Sequence, residues 1–281
     1  MSVVYNTLER IPTDGLILAL DAKNPRSYDP SKYSSSRQIA DWYDLSPQGN
    51  HFKVWSDAYE TSTKTFYFHR TGSIDTSCAA KFYGDPVGIN DNQLTIVSFT
   101  ALGDDNGNSS NQGRWPGGAC LFHMSTALGG RNNGPNLMVG GGGYGSSTAT
   151  YESRLWTNFS YSTSQGGSRG ASSTDIKMIW WKIDGNGWTY GLNQNTTGTN
   201  NFSETTVHTK SGGIINIGGA TYVNNYFDEN GNINPDPSPP TSPEGKCELD
   251  GRMSSFFCYN RFLSSSELLD IYNKHRKIAG I

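Results

Sequence analysis

Several short patterns in this chain have residue types that could do chemistry, and each carries a structural demand. Gly166-Gly167-Ser168-Arg169-Gly170 has the G-x-S-x-G spacing of an activated serine. That chemistry needs a strand before and a helix after, so that the hydroxyl is thrown out on a strained turn. Here a Ser/Thr/Gln tract precedes the pattern and a strand signal follows it, which reads as a chance match. Gly140-Gly141-Gly142-Gly143-Tyr144-Gly145 contains G-x-G-x-x-G, but no helix signal follows to aim backbone N–H groups at a pyrophosphate. Glycoside cleavage needs two carboxylates held about 5–10 Å apart. The nearest arrangement is Glu248-Leu249-Asp250, with Met253 where a second glutamate is required. No nucleophile–base pair emerges, and the chain reads as a non-enzyme.

Binding chemistry fares better. Asp228, Asn230 and Asn232 offer side-chain oxygens at alternate positions, as calcium loops do. Counted from Asp228, Ile233 and Pro239 stand where an EF-type loop needs Gly and Glu, leaving a looser calcium site or a solvated turn. No other cofactor is implied. The histidines at 51, 69, 123, 208 and 275 are isolated and read as packed or exposed rather than as ligands. Trp115, Tyr144, Trp156 and Trp188 lie in or beside polar stretches. They are the candidates for stacking on sugar C–H faces, with core or rim packing as the alternative for each.

The elements that would position these groups are mostly strands. The chain has 281 residues, a net charge of −3, 17% charged residues and 12% aromatic residues. Near-neutrality gives no electrostatic footprint for nucleic acid. No apolar run approaches the roughly 18 residues of a membrane span. Met1-Ser2-Val3-Val4-Tyr5-Asn6 has no basic-then-apolar export signal, so synthesis in the cytoplasm without a signal peptide is expected. The sequons at Asn108, Asn158, Asn195 and Asn201 then follow from composition. The cysteines at 78, 120, 247 and 258 have no zinc spacing and are expected as free thiols.

Strand signals fall at Leu16–Leu20, Leu94–Thr100, Cys120–Met124, Gly213–Gly218 and Met253–Tyr259. The clearest hairpin joins Ile176–Ile183 to Trp188–Leu192 through Asp184-Gly185-Asn186-Gly187, residues that tolerate the positive φ of a tight turn. One short C-terminal helix is expected. Ser264 N-caps it with Glu267 at the third position, Leu268, Leu269, Ile271 and Tyr272 form its apolar face, and Lys274, His275, Arg276 and Lys277 suit the dipole at its end. Loops are expected at 103–118, 140–150 and 224–246, the last stiffened by Pro235, Pro237, Pro239, Pro240 and Pro243. The fold class is all-β, a two-sheet antiparallel β-sandwich of jelly-roll type. A single domain over 15–281 follows an arm at 1–14 that is expected to dock on a partner.

The two ends of the chain carry a resemblance. Gly15-Leu16-Ile17-Leu18-Ala19-Leu20-Asp21-Ala22-Lys23-Asn24 is followed by Trp42-Tyr43-Asp44-Leu45-Ser46-Pro47-Gln48-Gly49-Asn50. Leu249-Asp250-Gly251-Arg252-Met253 and Tyr259-Asn260-Arg261-Phe262-Leu263-Ser264 close the chain, before Glu267 and Ile271-Tyr272-Asn273. Together with Ile215-Asn216-Ile217-Gly218-Gly219, these resemble the motifs of concanavalin A-like (laminin-G-type) jelly-roll domains found in phage structural proteins. The resemblance implies two sheets packed face to face, with the first and last strands adjacent. It makes Asp21, Trp42, Asn50, Gly251, Tyr259, Asn260 and Arg261 framework rather than active site. Pro47 and the enlarged 224–246 loop depart from the pattern.

The resemblance implies a non-enzymatic virion protein on the particle surface, of tail-fibre, spike or capsid-decoration type. Its expected partners are other virion proteins, further copies of the chain and a host-surface glycan. A carbohydrate-binding lectin module with no virion attachment is the alternative.

Overall fold

The computed structural model describes residues 11–33, 38–68, 80–83, 86–89, 93–102, 119–125, 136–141, 150–157, 160–168, 176–184, 187–193, 195–201, 214–218 and 251–281. Their strands form two antiparallel sheets. The first runs β14 (Asn195–Asn201), β13 (Gly187–Leu192), β12 (Lys177–Asp184), β7 (Gln93–Leu102), β16 (Gly251–Tyr259), β5 (Thr65–Phe68), β4 (Tyr59–Glu60). β1 (Leu16–Asp21) also pairs with β16, over Ser255–Tyr259, in line with β5 over Gly251–Met253. The first and last strands of the chain are therefore neighbours. The second sheet runs β11 (Ser160–Ser168), β10 (Thr150–Thr157), β9 (Asn136–Gly141), β8 (Ala119–Ser125), β15 (Ile214–Ile217), β6 (Ala80–Tyr83), β3 (Phe52–Trp55), β2 (Ile39–Trp42).

Alternation divides the core. Ile179, Trp181 and Ile183 of β12 face inwards with Leu94 and Ile96 of β7, and meet Phe52, Val54, Phe122 and Ile215 from the second sheet. Met178 and Trp180 face the other way with Val97, Phe99, Phe257 and Tyr259. That outer layer is covered by α1 (Ser265–Ala279), which sends in Leu268, Ile271 and Ala279. Strands buried on both faces carry apolar residues at neighbouring positions, as in Met178–Trp181 of β12 and Phe256–Tyr259 of β16, and this is why the two stand out in the sequence. A register shift between Met253 and Ser255 turns Ser255 towards the helix while Met253 stays inside.

The helix has the expected cap. Ser264 Oγ accepts from Glu267 N at 3.2 Å, and Glu267 Oε2 accepts from Ser264 N at 2.7 Å. Gly280 closes the helix with φ 92°, in the left-handed region that glycine adopts at least cost. Two expectations for its faces need correction. Leu269 is exposed, because Leu268, Ile271, His275 and Ala279 make the buried stripe at helical spacing. His275 is fully buried and takes no part in an exposed basic end. Ile11 packs into the same outer layer, so residues 11–14 lie on their own sandwich. Residues 1–10, most of the three long loops, and Cys78 and Cys247 fall outside the described residues. Cys258 is free and buried.

Candidate functional site

The first strand is locked to the segment after β2 by a carboxylate knot. Asp44 Oδ1 accepts from Ala19 N at 2.7 Å and Ser46 N at 2.8 Å, while Oδ2 accepts from Ser46 Oγ at 2.6 Å and Asn50 N at 2.8 Å. Asn50 Nδ2 then donates to Ile17 O at 2.7 Å, and Asn50 Oδ1 accepts from Val87 N at 2.8 Å. A buried carboxylate with four donors is satisfied, and it leaves nothing directed at a ligand. Arg261 clasps the chain ends in the same way. Its Nη2 is 2.5 Å from Glu267 Oε1 and its Nε is 2.9 Å from Asp14 Oδ2. The Arg261 guanidinium holds Glu267 at about 2, below its ordinary 4.5. Asn260 Nδ2 donates to Gly88 O, and Gly15 has φ 72° under the Arg261 side chain. Asp21, Trp42, Gly251 and Tyr259 are buried.

A serine–histidine contact also exists. Ser255 Oγ lies 2.5 Å from His275 Nε2, with the imidazole 4.7 Å from the Phe99 ring and 5.1 Å from the Phe257 ring. Both residues have no exposed surface, so no substrate reaches them. The pair fastens α1 to β16.

The outer face of the second sheet is different in kind. Lys53 of β3 alternates with the inward-facing Phe52 and Val54, and Asp41 of β2 with the inward-facing Ala40 and Trp42. Asp41 is a hub: Oδ1 is 2.5 Å from Lys53 Nζ, Oδ2 accepts from Tyr43 Oη at 3.4 Å, and its backbone N donates to Tyr33 Oη at 2.9 Å. His51 meets the Tyr43 ring edge-on at 5.1 Å, and Lys32 Nζ lies 5.7 Å from the centre of that ring. Tyr33 is partly buried, which raises its hydroxyl pKa. The result is a half-exposed station of two tyrosine rings and an imidazole around an ion pair.

Register carries this station across the whole sheet. Asp41 stands opposite Lys53, Lys53 opposite Lys81, Lys81 opposite Asn216, and Asn216 opposite His123. His123 stands opposite Met138, Met138 opposite Trp156, and Trp156 opposite Tyr161. Directly opposed residues share a face, so Asp41, Lys53, Lys81 and Asn216 form one transverse row. Lys81 is only 4% exposed, and desolvation lowers its ammonium pKa to about 7.

The aromatic candidates separate on this geometry. Trp156 lies on β10, opposite Met138 and Tyr161 in register. Trp188 is 2% exposed on β13, its ring 5.3 Å from Tyr190 in the core between the sheets. A strand residue facing the other sheet cannot stack on a ligand, and its place as a stacking candidate is corrected. Trp115, Tyr144, Asp228, Asn230 and Asn232 lie outside the described residues. Among the described residues no group of three His, Cys, Asp or Glu could hold a metal, and no helix is long and apolar enough to cross a membrane. Ser168 ends β11, and β11 pairs with β10. Sequence reasoning missed Tyr33, Asp41, Tyr43, Lys53, Lys81 and Asn216. The alternation of Phe52-Lys53-Val54 and Ala40-Asp41-Trp42 is the local signal that could have found two of them.

No protein-family model matches this chain, and no curated protein matches it in sequence. Solved structures do share its fold. Trypanosoma rangeli sialidase in complex with sialic acid superposes with a TM-score of 0.54 at 12% identity, over 96% of this chain and 34% of that one. The botulinum neurotoxin serotype D binding domain gives 0.51 at 10% identity, over 95% of this chain and 52% of that one. The receptor binding domain of botulinum neurotoxin D gives 0.52 at 9%, over 93% and 53%. This chain thus spans about a third of the sialidase and half of the toxin chains. The likeness establishes the class: a two-sheet antiparallel β-sandwich of jelly-roll type with one C-terminal helix.

Proposed function

We propose that this chain is a non-catalytic carbohydrate-binding β-sandwich carried on the surface of a phage particle, where it acts in host attachment or shell stabilisation. The observation that carries the binding part is the Asp41 station, where half-exposed tyrosine rings flank a carboxylate–ammonium pair. Aromatic rings cover the apolar C–H faces of a sugar, and paired charged groups serve as donors and acceptors for its hydroxyls. Structures of this fold include a sialidase crystallised with sialic acid and a toxin receptor-binding domain, which supports a surface-recognition role. The sealing of Ser255 and His275 beneath α1 supports the non-catalytic reading. The virion part rests on the motifs at the two chain ends. A lectin with no virion attachment is the alternative that the same site serves.

A glycan array with the whole chain tests the binding, with Tyr43→Ala as control. Retention on a subset of glycans, lost in the variant, is expected. No retention on any glycan contradicts the reading. Immunogold labelling of purified particles tests the virion part, with label on shells or tails expected and bare particles contradicting it.

A further inference from the structure

The fold has already decided the hydrogen-bonding role of His51. The residue stands between two anchored neighbours. Asn50 is buried in the carboxylate knot, its N donating to Asp44 Oδ2 and its Nδ2 to Ile17 O, and Phe52 is buried as the first residue of β3. Gly49, with φ 69°, turns the chain into this position, and His51 N donates to Gly49 O at 2.9 Å. His51 is exposed, yet one of its ring nitrogens is engaged: Nδ1 accepts from the Asp44 N–H at 3.1 Å. A neutral imidazole that accepts at Nδ1 carries its proton at Nε2, because the bond made by one ring nitrogen sets the state of the other. The closure of the β2–β3 connection therefore fixes a donor, Nε2–H, on an exposed ring beside Tyr43.

We infer that His51 is a ligand-contacting specificity residue of the glycan-binding site: its Nε2–H donates to an oxygen of a neutral sugar, while the Asp41 carboxylate accepts from a hydroxyl of the same sugar. This inference rests on the carbohydrate-binding reading above. Both groups border Tyr43, Asp41 at its hydroxyl end and His51 against its ring. Asp41 Oδ1 is held by Lys53, and Oδ2 by a long 3.4 Å bond from Tyr43 Oη that a sugar hydroxyl can displace. A fixed donor beside a fixed acceptor is matched by hydroxyl groups, each of which both accepts and donates. A ligand carboxylate only accepts, and it would meet Asp41 as a like charge. The imidazole has its backbone anchored and its tautomer set before a ligand arrives, so little freedom is lost when it binds.

The test uses two amide substitutions that divide the two roles of the imidazole. The amide of Asn falls at the place of Nδ1, and that of Gln at the place of Nε2. The whole chain, His51→Asn and His51→Gln are titrated calorimetrically at about pH 8, where a free histidine side chain is neutral. The neutral probes are galactotriose, maltotriose, mannotriose and chitotriose, and the acidic probes are sialyllactose and trigalacturonate. The parent protein should bind a neutral probe in preference to both acidic ones. His51→Asn should keep the Asp44 bond and the parent Tm but lose about tenfold in affinity, the worth of one hydrogen bond to the ligand. His51→Gln should hold its affinity within about threefold while its Tm falls by about 2–4 °C, because the Asp44 N–H has lost its acceptor. The reverse pattern, with affinity kept by Asn and lost by Gln, makes His51 a structural clip and overturns the inference. Equal affinity in all three proteins, or loss in both variants, overturns it too. Preference for an acidic probe overturns the neutral-sugar assignment and leaves the carbohydrate reading standing. Binding to none of the sugars removes that reading together with the inference.

Discussion

The sandwich has two outer faces, and they are finished in opposite ways. The first sheet's face is capped by α1, with Leu268 and Ile271 in one cluster with Phe257 and Phe99, and its polar members Ser255 and His275 hydrogen-bond each other inside. The second sheet's face carries Asp41, Lys53, Lys81 and Asn216 in one row, with no helix over it among the described residues. Both are outer faces of comparable sheets, so the polar row is not a requirement of sheet formation. Lys81 and Asn216 in that row are buried, while Asp41 and Lys53 at its β2–β3 end stay part-exposed. That end is the part of the second face open to recognition.

Stability separates the two faces by the largest margin. Phe257→Ala should cost about 3–5 kcal/mol in urea unfolding, as expected for a large side chain lost from a closed layer. Lys53→Ala on the other face should cost no more than about 1 kcal/mol, the range of a partly exposed ion pair. Similar losses at the two positions would mean that the second face is structural too.

A smaller effect sharpens the same contrast at Lys81, where the polar face is as tightly closed as the apolar one. Its folded-state value of about 7 lies below the unfolded 10.5, so the unfolded chain binds the extra proton between those values. The parent protein therefore gains stability as pH rises through that window, and the full penalty applies below pH 7. Lys81→Met should stabilise the fold by about 1–3 kcal/mol at pH 6, with the advantage shrinking towards pH 10. Thermal melts across that range check it, and a variant that is less stable at pH 6 would refute the assignment.

The smallest effect concerns the clasp at the helix start. Glu267 is held at about 2, against an ordinary 4.5, chiefly by Arg261. A depressed carboxylate stabilises the fold fully above pH 4.5, and that contribution is lost as pH falls towards 2. Glu267→Gln should remove this part of the acid dependence, with a loss at pH 7 of about 1 kcal/mol because the pair is partly exposed and screened by solvent. An unchanged acid melting curve would contradict it.

Much of the first sheet was legible in the sequence because its central strands are buried on both sides. β7, β12 and β16 are rich in apolar residues on both faces, and the Ser264–Glu267 box announces α1 within four residues. In the second sheet only β8 and β15 were. β11, like β14 at the edge of the first sheet, is built largely from small polar residues, types that read as loop until a neighbouring strand pairs with them. β2, β3 and β6 are four residues each, too short for alternation to declare itself. The candidate site suffers most from this. Asp41 and Lys53 are local to one hairpin, but Lys53 meets Lys81, and Lys81 meets Asn216, only through pairings between segments far apart in sequence. Trp188 shows the converse failure. A tryptophan beside Asn186-Gly187 has the composition of a rim residue, and only the packing of β13 against the opposite sheet decides that it is core.

The claim that the second sheet's outer face is the recognition surface is tested most directly by two-dimensional NMR of the labelled chain during titration with the strongest-binding oligosaccharide. The account predicts shifts concentrated at Tyr33, Asp41, Tyr43, His51 and Lys53, with the amides of α1 and of the outer-facing residues of β7 and β12 unmoved. Shifts confined to α1, or to the edge of the first sheet at β14, with the Asp41 station silent, would contradict it.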